Sequence, residues 1–418
     1  MIDLGRIAIP FNDQFCTGDA AENYGYVDLQ LCQWNGAKLE SGSVEYLSDG
    51  NIEVTDLRHP FESVASSNGT LSFKIYKGGE NYWPFIEIKA SPAKLLQGHN
   101  VFGSCDVAKC LVSLVQAFST GMPQIAGMLD FHLAELRQID CTFSAQLENQ
   151  TQGRQVIAAL KNISSGQTRS SKNAHATTCY FGINSNGKKS SRHKQLKIYL
   201  KGAELSSQID LYLQKLKYSK LPVYKRQLDA MQQPDVLAFA ENALRFEASI
   251  LPRMLQRLGI PTHLNDFIEY AENFEGCLIE SLWKVAFKDV FDALGNEKMN
   301  VFDDEEILDK LKILFGKVNL KTGKVSFAKA NRLFRFYRDF KNEGWDEVKR
   351  TTADRTFYDN LKLLTNVVSK VHLQNLHGIG HNIIPMLRII NVDFSKQHPA
   401  SYIEPSYLCE QIQLRAVG

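Results

Sequence analysis

The chain has 418 residues, is 44% hydrophobic and 22% charged, and carries a formal net charge of +2 at pH 7. That length is too great for one small core and predicts two or three domains. The balanced charge gives no general signal for nucleic acid, so any such signal has to be local. The eight cysteines include no Cys-x-x-Cys pair, which predicts reduced thiols rather than a disulfide frame or zinc knuckle. The opening stretch has an early acid and no apolar run of signal-peptide length, and no segment approaches a membrane span. The expectation is a soluble, intracellular protein.

Residues 1 to about 90 read as strand-rich, with turn signals at Ser48-Asp49-Gly50 and Ser67-Asn68-Gly69. Residues 71–76 and 85–89 alternate; Ile86 and Ile88 face a core, while Glu87 and Lys89 face out. Residues 91–103 read as a polar, glycine-punctuated loop or short helix. The spacing predicts helices over 105–118 and 125–136. Strand 137–145 sets Ile139, Cys141, Phe143 and Ala145 on one face and Asp140, Thr142 and Ser144 on the other. A helix is predicted over 153–163, then a polar, basic and mobile loop over 164–178.

Residues 178–204 read as a β-hairpin with a long polar loop over 184–193. In its second strand, 194–201, Leu196, Ile198 and Leu200 point one way and Lys197, Tyr199 and Lys201 the other. A tyrosine between two lysines is a candidate nucleophile, because the lysines can stabilise phenolate and pair with phosphate. On its own the stretch reads first as a surface Tyr-Lys ladder. A basic cluster around Tyr218 and Tyr224 follows. Strand 244–250 then turns Leu244, Phe246, Ala248 and Ile250 inward and Arg245, Glu247 and Ser249 outward.

Four strands thus put a chemically capable group on their polar face: Glu87, Asp140, Tyr199 and Glu247. Taken singly, each reads first as a solvent-facing residue of a one-sided sheet. As a set, three carboxylates beside a tyrosine can form a divalent-metal site, and oxygen ligands favour Mg²⁺ or Mn²⁺.

From about residue 263 the pattern is helical, over 265–273, 278–294 and 305–315. In helix 326–342, Phe327, Ala330, Phe334, Tyr337 and Phe340 form a stripe, and Lys329, Arg332, Arg335, Arg338 and Lys341 occupy much of the rest. This is equally a solvated amphipathic helix or a phosphate-tracking face. A short helix over 345–350, a turn and a longer helix over 355–368 are compatible with helix-turn-helix. His377 and His381 are spaced i,i+4, but Gly378 and Gly380 break the helix a metal pair would need, so they read as loop histidines.

Together these motifs resemble the replication-initiator (gene II) proteins of filamentous bacteriophages. The resemblance rests on HPFES at His59, FKIY at Phe73, IEIKASPAKLLQGHNVFG at Ile86, ID-x-TFSA at Ile139, SSGQTRS at Ser164, SRH at Ser191 with IYLK ending at Lys201, LRFEA at Leu244, SFAKANRLFRFY at Ser326 and INVDFS at Ile390. It implies an α+β fold, with an HUH-endonuclease-like antiparallel sheet carrying helices on one face and a mainly α-helical C-terminal domain. The implied domains are an origin-nicking catalytic domain over 1–260, a helical connection over 261–298 and a DNA-binding domain over 299–418. Met299 matches the internal start of the family's gene X product, which implies that 299–418 folds alone.

The implied activity is rolling-circle initiation in the host bacterial cytoplasm. The protein binds the origin on double-stranded replicative-form DNA, nicks the viral strand through a 5′-phosphotyrosine, and later joins the displaced single strand into a circle. The resemblance gives Tyr199 the nucleophile's role, with Tyr180 as rival, and Lys197 and Lys201 as charge stabilisers. Asp140 and Glu87, with Glu247, are the implied ligands of Mg²⁺ (or Mn²⁺), and Glu204 stands behind them. No His-hydrophobic-His triplet is present, which fits the carboxylate version of this sheet site seen in some Gram-positive plasmid initiators. Arg192 and His193 either contact phosphate or belong to a plain loop. Lys329, Arg332, Arg335 and Arg338 are the implied DNA contacts of the C-terminal helix. A host helicase and DNA polymerase are implied partners, self-association on DNA is open, and no membrane is involved. The alternatives are a non-enzymatic origin-binding or repressor protein and a plasmid-type initiator or relaxase.

Overall fold

The computed structural model describes residues 1–38, 43–46, 52–56, 62–64, 70–147, 149–161, 164–165, 168–169, 177–182, 191–295, 304–318, 325–376, 390 and 392–408. Most of the predicted hairpin loop, Met299, His377 and His381 lie outside the described residues, as does much of the predicted loop 164–178. Contacts divide the chain into two units. One comprises Met1–Ala145, Lys189–Ala286 and Val392–Gly418, the other Gln146–Lys188 and Phe287–Asn391.

The first unit is built on an antiparallel sheet of seven strands. In chain order they are β1 (Ile2–Pro10), β2 (Glu62–Val64), β3 (Leu71–Tyr76), β4 (Phe85–Ala90), β5 (Glu135–Gln146), β6 (Lys194–Leu200) and β7 (Ala243–Ile250). They lie side by side as β6-β7-β5-β1-β4-β3-β2, so the N-terminal strand is central. β1 pairs with β5 through Arg6↔Gln138 and Leu4↔Asp140, and with β4 through Ile7↔Ile88 and Ala8↔Glu87. Ile7, Ile9, Ile86, Ile88, Ile139, Phe143, Ile198 and Phe246 are all buried. The helix Val107–Gly121 supplies Leu111, Leu114 and Phe118 to that core; the Phe118 ring stands edge-on to Phe73 at 5.7 Å. Trp283, on the helix Leu278–Gly295, donates its indole N–H to the Phe246 carbonyl at 3.0 Å and packs edge-on to Phe143. The segment after Val392 returns to this unit, where Phe394 meets Phe143 and Gln397 accepts from the Ser144 amide at 2.8 Å.

Local chemistry sets the element ends. Ser91 caps the helix Pro92–Gln97, Pro92 suits its first turn, and Gly98 ends it at φ +88°, a left-handed conformation that glycine adopts without strain. Asp106 caps Val107–Gly121 by accepting from the Lys109 amide at 2.8 Å. The helix predicted over 125–136 is not formed. Pro123 opens a single short helix, Pro123–Ala126. Asp130 then caps a 3-10 turn, Phe131–Leu133, and β5 is already under way at Glu135.

The second unit contains the helix Gln150–Lys161, the strand Thr178–Phe181 and the C-terminal helices Asp304–Phe315, Ala328–Glu343, Trp345–Thr351, Asp354–Leu364 and Lys370–Asn375. Its core is aromatic. Phe340 is fully buried, with ring centroids 4.8 Å from Phe336, 5.1 Å from Trp345 and 6.0 Å from Phe357. The buried stripe of Ala328–Glu343 is Ala330, Leu333, Phe336, Tyr337 and Phe340. Phe334 is only partly buried, and the expected stripe member Phe327 is exposed ahead of the first turn. Phe340→Ala is expected to destabilise this unit by about 3–5 kcal/mol, the usual cost of emptying a phenyl site. A urea-melt midpoint matching wild type would show that the core is not packed this way.

Candidate active site

The polar face of the sheet is largely buried. Glu87 is 6% exposed, Asp140 5% and Tyr199 3%, so residues read from sequence as facing out are shielded from water. The faces follow from register. Lys197 pairs with Glu247, and Tyr199 with Arg245, across β6 and β7, and cross-strand partners project to the same side. Gln138 ties β7 to the centre: its amide donates to Asp140 at 2.8 Å and to Ser249 at 3.3 Å. Arg6 continues the line, donating from Nε to Glu87 at 3.1 Å and reaching Gln138 at 3.5 Å.

Around Tyr199 every charged group has a partner. The Lys197 ammonium lies 4.0 Å from the Tyr199 ring centroid and 3.8 Å from the Glu247 carboxylate. Arg245, only 1% exposed, donates to the carbonyls of Asn100 and Val101 and approaches the Ser144 hydroxyl at 3.5 Å. Asp3 accepts from the Asn100 side chain at 2.8 Å. Lys201 donates to Asn100 Oδ1 at 3.0 Å and to Glu204 at 2.6 Å.

The expectation that Lys201 ends the strand is corrected. β6 stops at Leu200, and Lys201 is the first residue of the helix Lys201–Tyr218. Gly202 lets this helix pack closely on its neighbour Pro234–Glu241, since a Cβ there would lie 2.9 Å from the Glu241 carbonyl. The Lys201 ammonium is thereby fully buried against Glu204 and Asn100.

These environments displace the protonation equilibria. Burial, reinforced by Glu247, pushes the Tyr199 phenol well above the ordinary tyrosine range. Burial raises the Glu247 carboxyl to about 7, with Asp3 and Asp140 adding and Lys197 opposing. Burial also works to raise Asp3, but Arg245, Lys201 and Asn100 outweigh it and hold that carboxyl below its usual value. Burial, then Arg245, lowers Lys201 to about 8 against the pull of Glu204 and Asp3.

The sequence-predicted residues are therefore only partly gathered. Tyr199, Lys197 and Glu247 stand together, and Asp140 is close enough to act on Glu247. Glu87 lies further along the sheet, in an ion pair with Arg6. Among the described residues no three His, Cys, Asp or Glu side chains converge to hold a metal ion. Arg192 and His193 are exposed just before β6, and Tyr180 is half-buried in the strand Thr178–Phe181 of the other unit. In Ala328–Glu343, Arg332, Arg335, Arg338 and Lys341 are exposed, and the half-buried Lys329 lies over the Phe315 ring at 4.7 Å. Sequence reasoning missed Asp3, Arg6 and Asn100. Arg245 was placed on the outward side, and its position opposite Tyr199 was the available signal.

A sheet face that gathers a tyrosine, a lysine, an arginine and carboxylates holds side chains of the kinds that phosphoryl chemistry can use. The family model described as the N-terminal part of a phage replication-associated protein matches residues 1–276, and the model of the C-terminal part of the same protein matches residues 320–408. The replication-associated protein of Salmonella phage IKe is 40% identical over 415 residues, covering 97% of this chain and 96% of that protein. Those of Enterobacteria phages M13 and f1 are each 38% identical over 414 residues, covering 97% of this chain and 99% of theirs. The chain belongs to this family of filamentous-phage replication-associated proteins. No solved structure gives a significant match. Among the described residues no helix is long and apolar enough to cross a membrane.

The Lys201 environment makes a pH prediction. Its folded value, about 8, lies below the ordinary lysine value of 10.5, so the folded state gives up this proton first. The resulting penalty is full below about pH 8 and fades as pH rises towards 10.5. Wild type should therefore gain stability relative to Lys201→Met by a few kcal/mol (roughly 3) between pH 7.5 and 10.5. Parallel urea-melt curves over that range would show that Lys201 is not buried in its charged form.

Proposed function

We propose that this protein initiates rolling-circle replication of a single-stranded DNA phage by nicking the viral strand of double-stranded origin DNA with Tyr199 and later closing the displaced strand. The observation that carries the reading is Tyr199 itself. It lies opposite Arg245 and under the Lys197 ammonium, on the face that also holds Asp140 and Glu247. Family membership along nearly the whole chain supports the same role.

In the proposed reaction the Tyr199 oxygen bonds to the scissile phosphorus and the bond to the 3′ oxygen breaks; the phenolic proton passes to water, and the leaving 3′ oxygen takes a proton from water to become the 3′-hydroxyl. Lys197 and Arg245 offset the charge that develops on the phenol and phosphate oxygens. The phosphodiester energy is kept in the phosphotyrosine bond, so resealing needs no nucleotide triphosphate. Burial of Tyr199 means that the residues over it must move aside when DNA docks. The high phenol pKa keeps the nucleophile protonated until then.

A divalent cation fits Asp140 and Glu247 best. Burial chiefly raises the Glu247 carboxyl, Asp140 adds a smaller push, and both are hard oxygen donors. Glu87 is held by Arg6 and fits less well. Mg²⁺ bound there (Mn²⁺ having the same preference) would polarise the non-bridging phosphate oxygens and assist departure of the 3′ oxygen. Glu204 acts through Lys201, which it holds. The exposed arginines of Ala328–Glu343 would track DNA phosphates, and a host helicase and polymerase would extend the nicked strand.

Tyr199→Phe is expected to lose both nicking of supercoiled cognate-origin DNA in Mg²⁺ and the covalent adduct on denaturing gels, while keeping origin binding. An adduct that persists would move the role to Tyr180, and wild-type binding without any nick would leave an origin-binding protein that is not an enzyme. Arg335→Gln and Arg338→Gln should each weaken binding uniformly across DNA sequences and reduce the slope of log affinity against log salt by about 1. Slopes equal to wild type would take this helix out of the DNA interface.

A further inference from the structure

The polar face does not end at Glu87. Further along β1, β4 and β5 it opens into a cleft of about 480 Å³, within the roughly 300–1,000 Å³ of small-ligand clefts. Register fixes its side of the sheet. Ala8, in the cleft wall, pairs with Glu87 on β4 and with Glu135 on β5, so the cleft lies on the same face as Arg6, Gln138 and Asp140. The Arg245–Ser144 contact marks where Tyr199 stands along β5, and the cleft is at the other end, beside Glu135 and Arg137. Strand spacings near 4.8 Å and about 3.3 Å per residue put it on the order of 30 Å from Tyr199, several nucleotides along a DNA strand.

The walls are aromatic and held in place. The Trp83 indole N–H donates to the Phe11 carbonyl at 2.8 Å, and its backbone N–H donates to Asn23 Oδ1 at 3.1 Å. The Trp83 ring covers Gly25, where a Cβ would lie 2.5 Å from it. Tyr82, 41% exposed, stands edge-on to Phe85 at 6.3 Å, and the Arg137 guanidinium lies 5.6 Å from the Phe85 ring centroid. Phe85 is already stacked on Tyr76 at 4.5 Å, so the exposed Tyr82 ring is the one that offers a flat face for stacking. The lining also carries Asp13, Asp130 and Glu135; Glu135 is ion-paired with Arg137 at 3.2 Å, and the carboxylates of Asp13 and Asp130 repel a phosphate but can accept hydrogen bonds from an exocyclic amine. The cleft therefore suits a base and not the backbone.

We propose that this cleft is a subsite for one unpaired nucleobase of the DNA strand crossing the sheet, stacked on Tyr82 and selected for an exocyclic amine. The inference rests on the reading of this face as the nicking surface. It assigns to Tyr82, Trp83 and Arg137 a role in placing the strand, separate from the chemistry at Tyr199.

The test is an abasic scan. The full chain is titrated into a labelled single strand of about twenty nucleotides from the cognate origin, with the base removed at each position in turn, and affinity is read by fluorescence anisotropy. One position away from the scissile phosphate should lose roughly five- to hundredfold in affinity when its base is removed, the usual size of base–aromatic stacking. That sensitivity should vanish in Tyr82→Ala and persist in Tyr82→Phe, which keeps the ring. At that position adenine, cytosine or guanine should bind more tightly than thymine. If every position behaves alike in wild type and Tyr82→Ala, the subsite is wrong. If thymine binds as well as the others, the carboxylate selection is wrong. Wild-type adduct formation on supercoiled origin is scored separately; its absence would overturn the nicking reading, whereas an adduct without a coupled position would overturn only the subsite.

Discussion

A guanidinium with almost no access to water is the constraint around which the first unit is arranged. Removing a charge from water costs several kcal/mol unless its hydrogen bonds are replaced. Arg245 has them replaced by two backbone carbonyls, Asn100 and Val101, with Asp3 supplying opposite charge. That requirement ties β7 to β1 and to the chain after the helix Pro92–Gln97. Lys201 extends the network through Asn100 and Glu204, and so fixes the point where β6 becomes a helix. The network also sets the electrostatics of Tyr199, which sits directly opposite Arg245.

The two faces of the sheet obey different physics. The apolar face is sealed by ordinary packing of isoleucine, leucine and phenylalanine side chains against the helices Val107–Gly121 and Leu278–Gly295. The polar face is also mostly shielded, but through hydrogen bonds and ion pairs that have direction and fixed partners. Such a face keeps reactive groups in register. On the proposed reading it offers the DNA strand a prearranged row of donors at one end and aromatic walls at the other. The second unit relies instead on an aromatic core around Phe340, which leaves the arginines of Ala328–Glu343 in solvent.

Alternation made much of this legible. Apolar and polar residues taking turns along β3, β4, β5, β6 and β7 identified those strands and the faces of Glu87, Asp140, Tyr199 and Glu247. Helical periodicity located four of the C-terminal helices to within a few residues, because a buried stripe repeats with the turn, while the short helix Lys370–Asn375 was not expected. The helix expected over 125–136 failed because its apolar residues are shared among a short helix, a 3-10 turn and the start of a strand. The N-terminal strand was not singled out, and its central place cost the reading Asp3 and Arg6. Burial on the polar face was also out of reach, since period-2 patterning says which side a residue faces but not what covers that side.

The sequence by itself determined five strands of the sheet, the helical C-terminal region, the family and the tyrosine that stands out on its strand. These depend on local periodicity and on motif residues close together in the chain. Tertiary structure alone decided that β1 lies at the centre, that Arg6 occupies Glu87, that Arg245 and Asp3 answer each other, and that Lys201 begins a helix. Each of those facts depends on pairing between residues tens to hundreds of positions apart, and the cost of burying a charge can be read only once its partner is known.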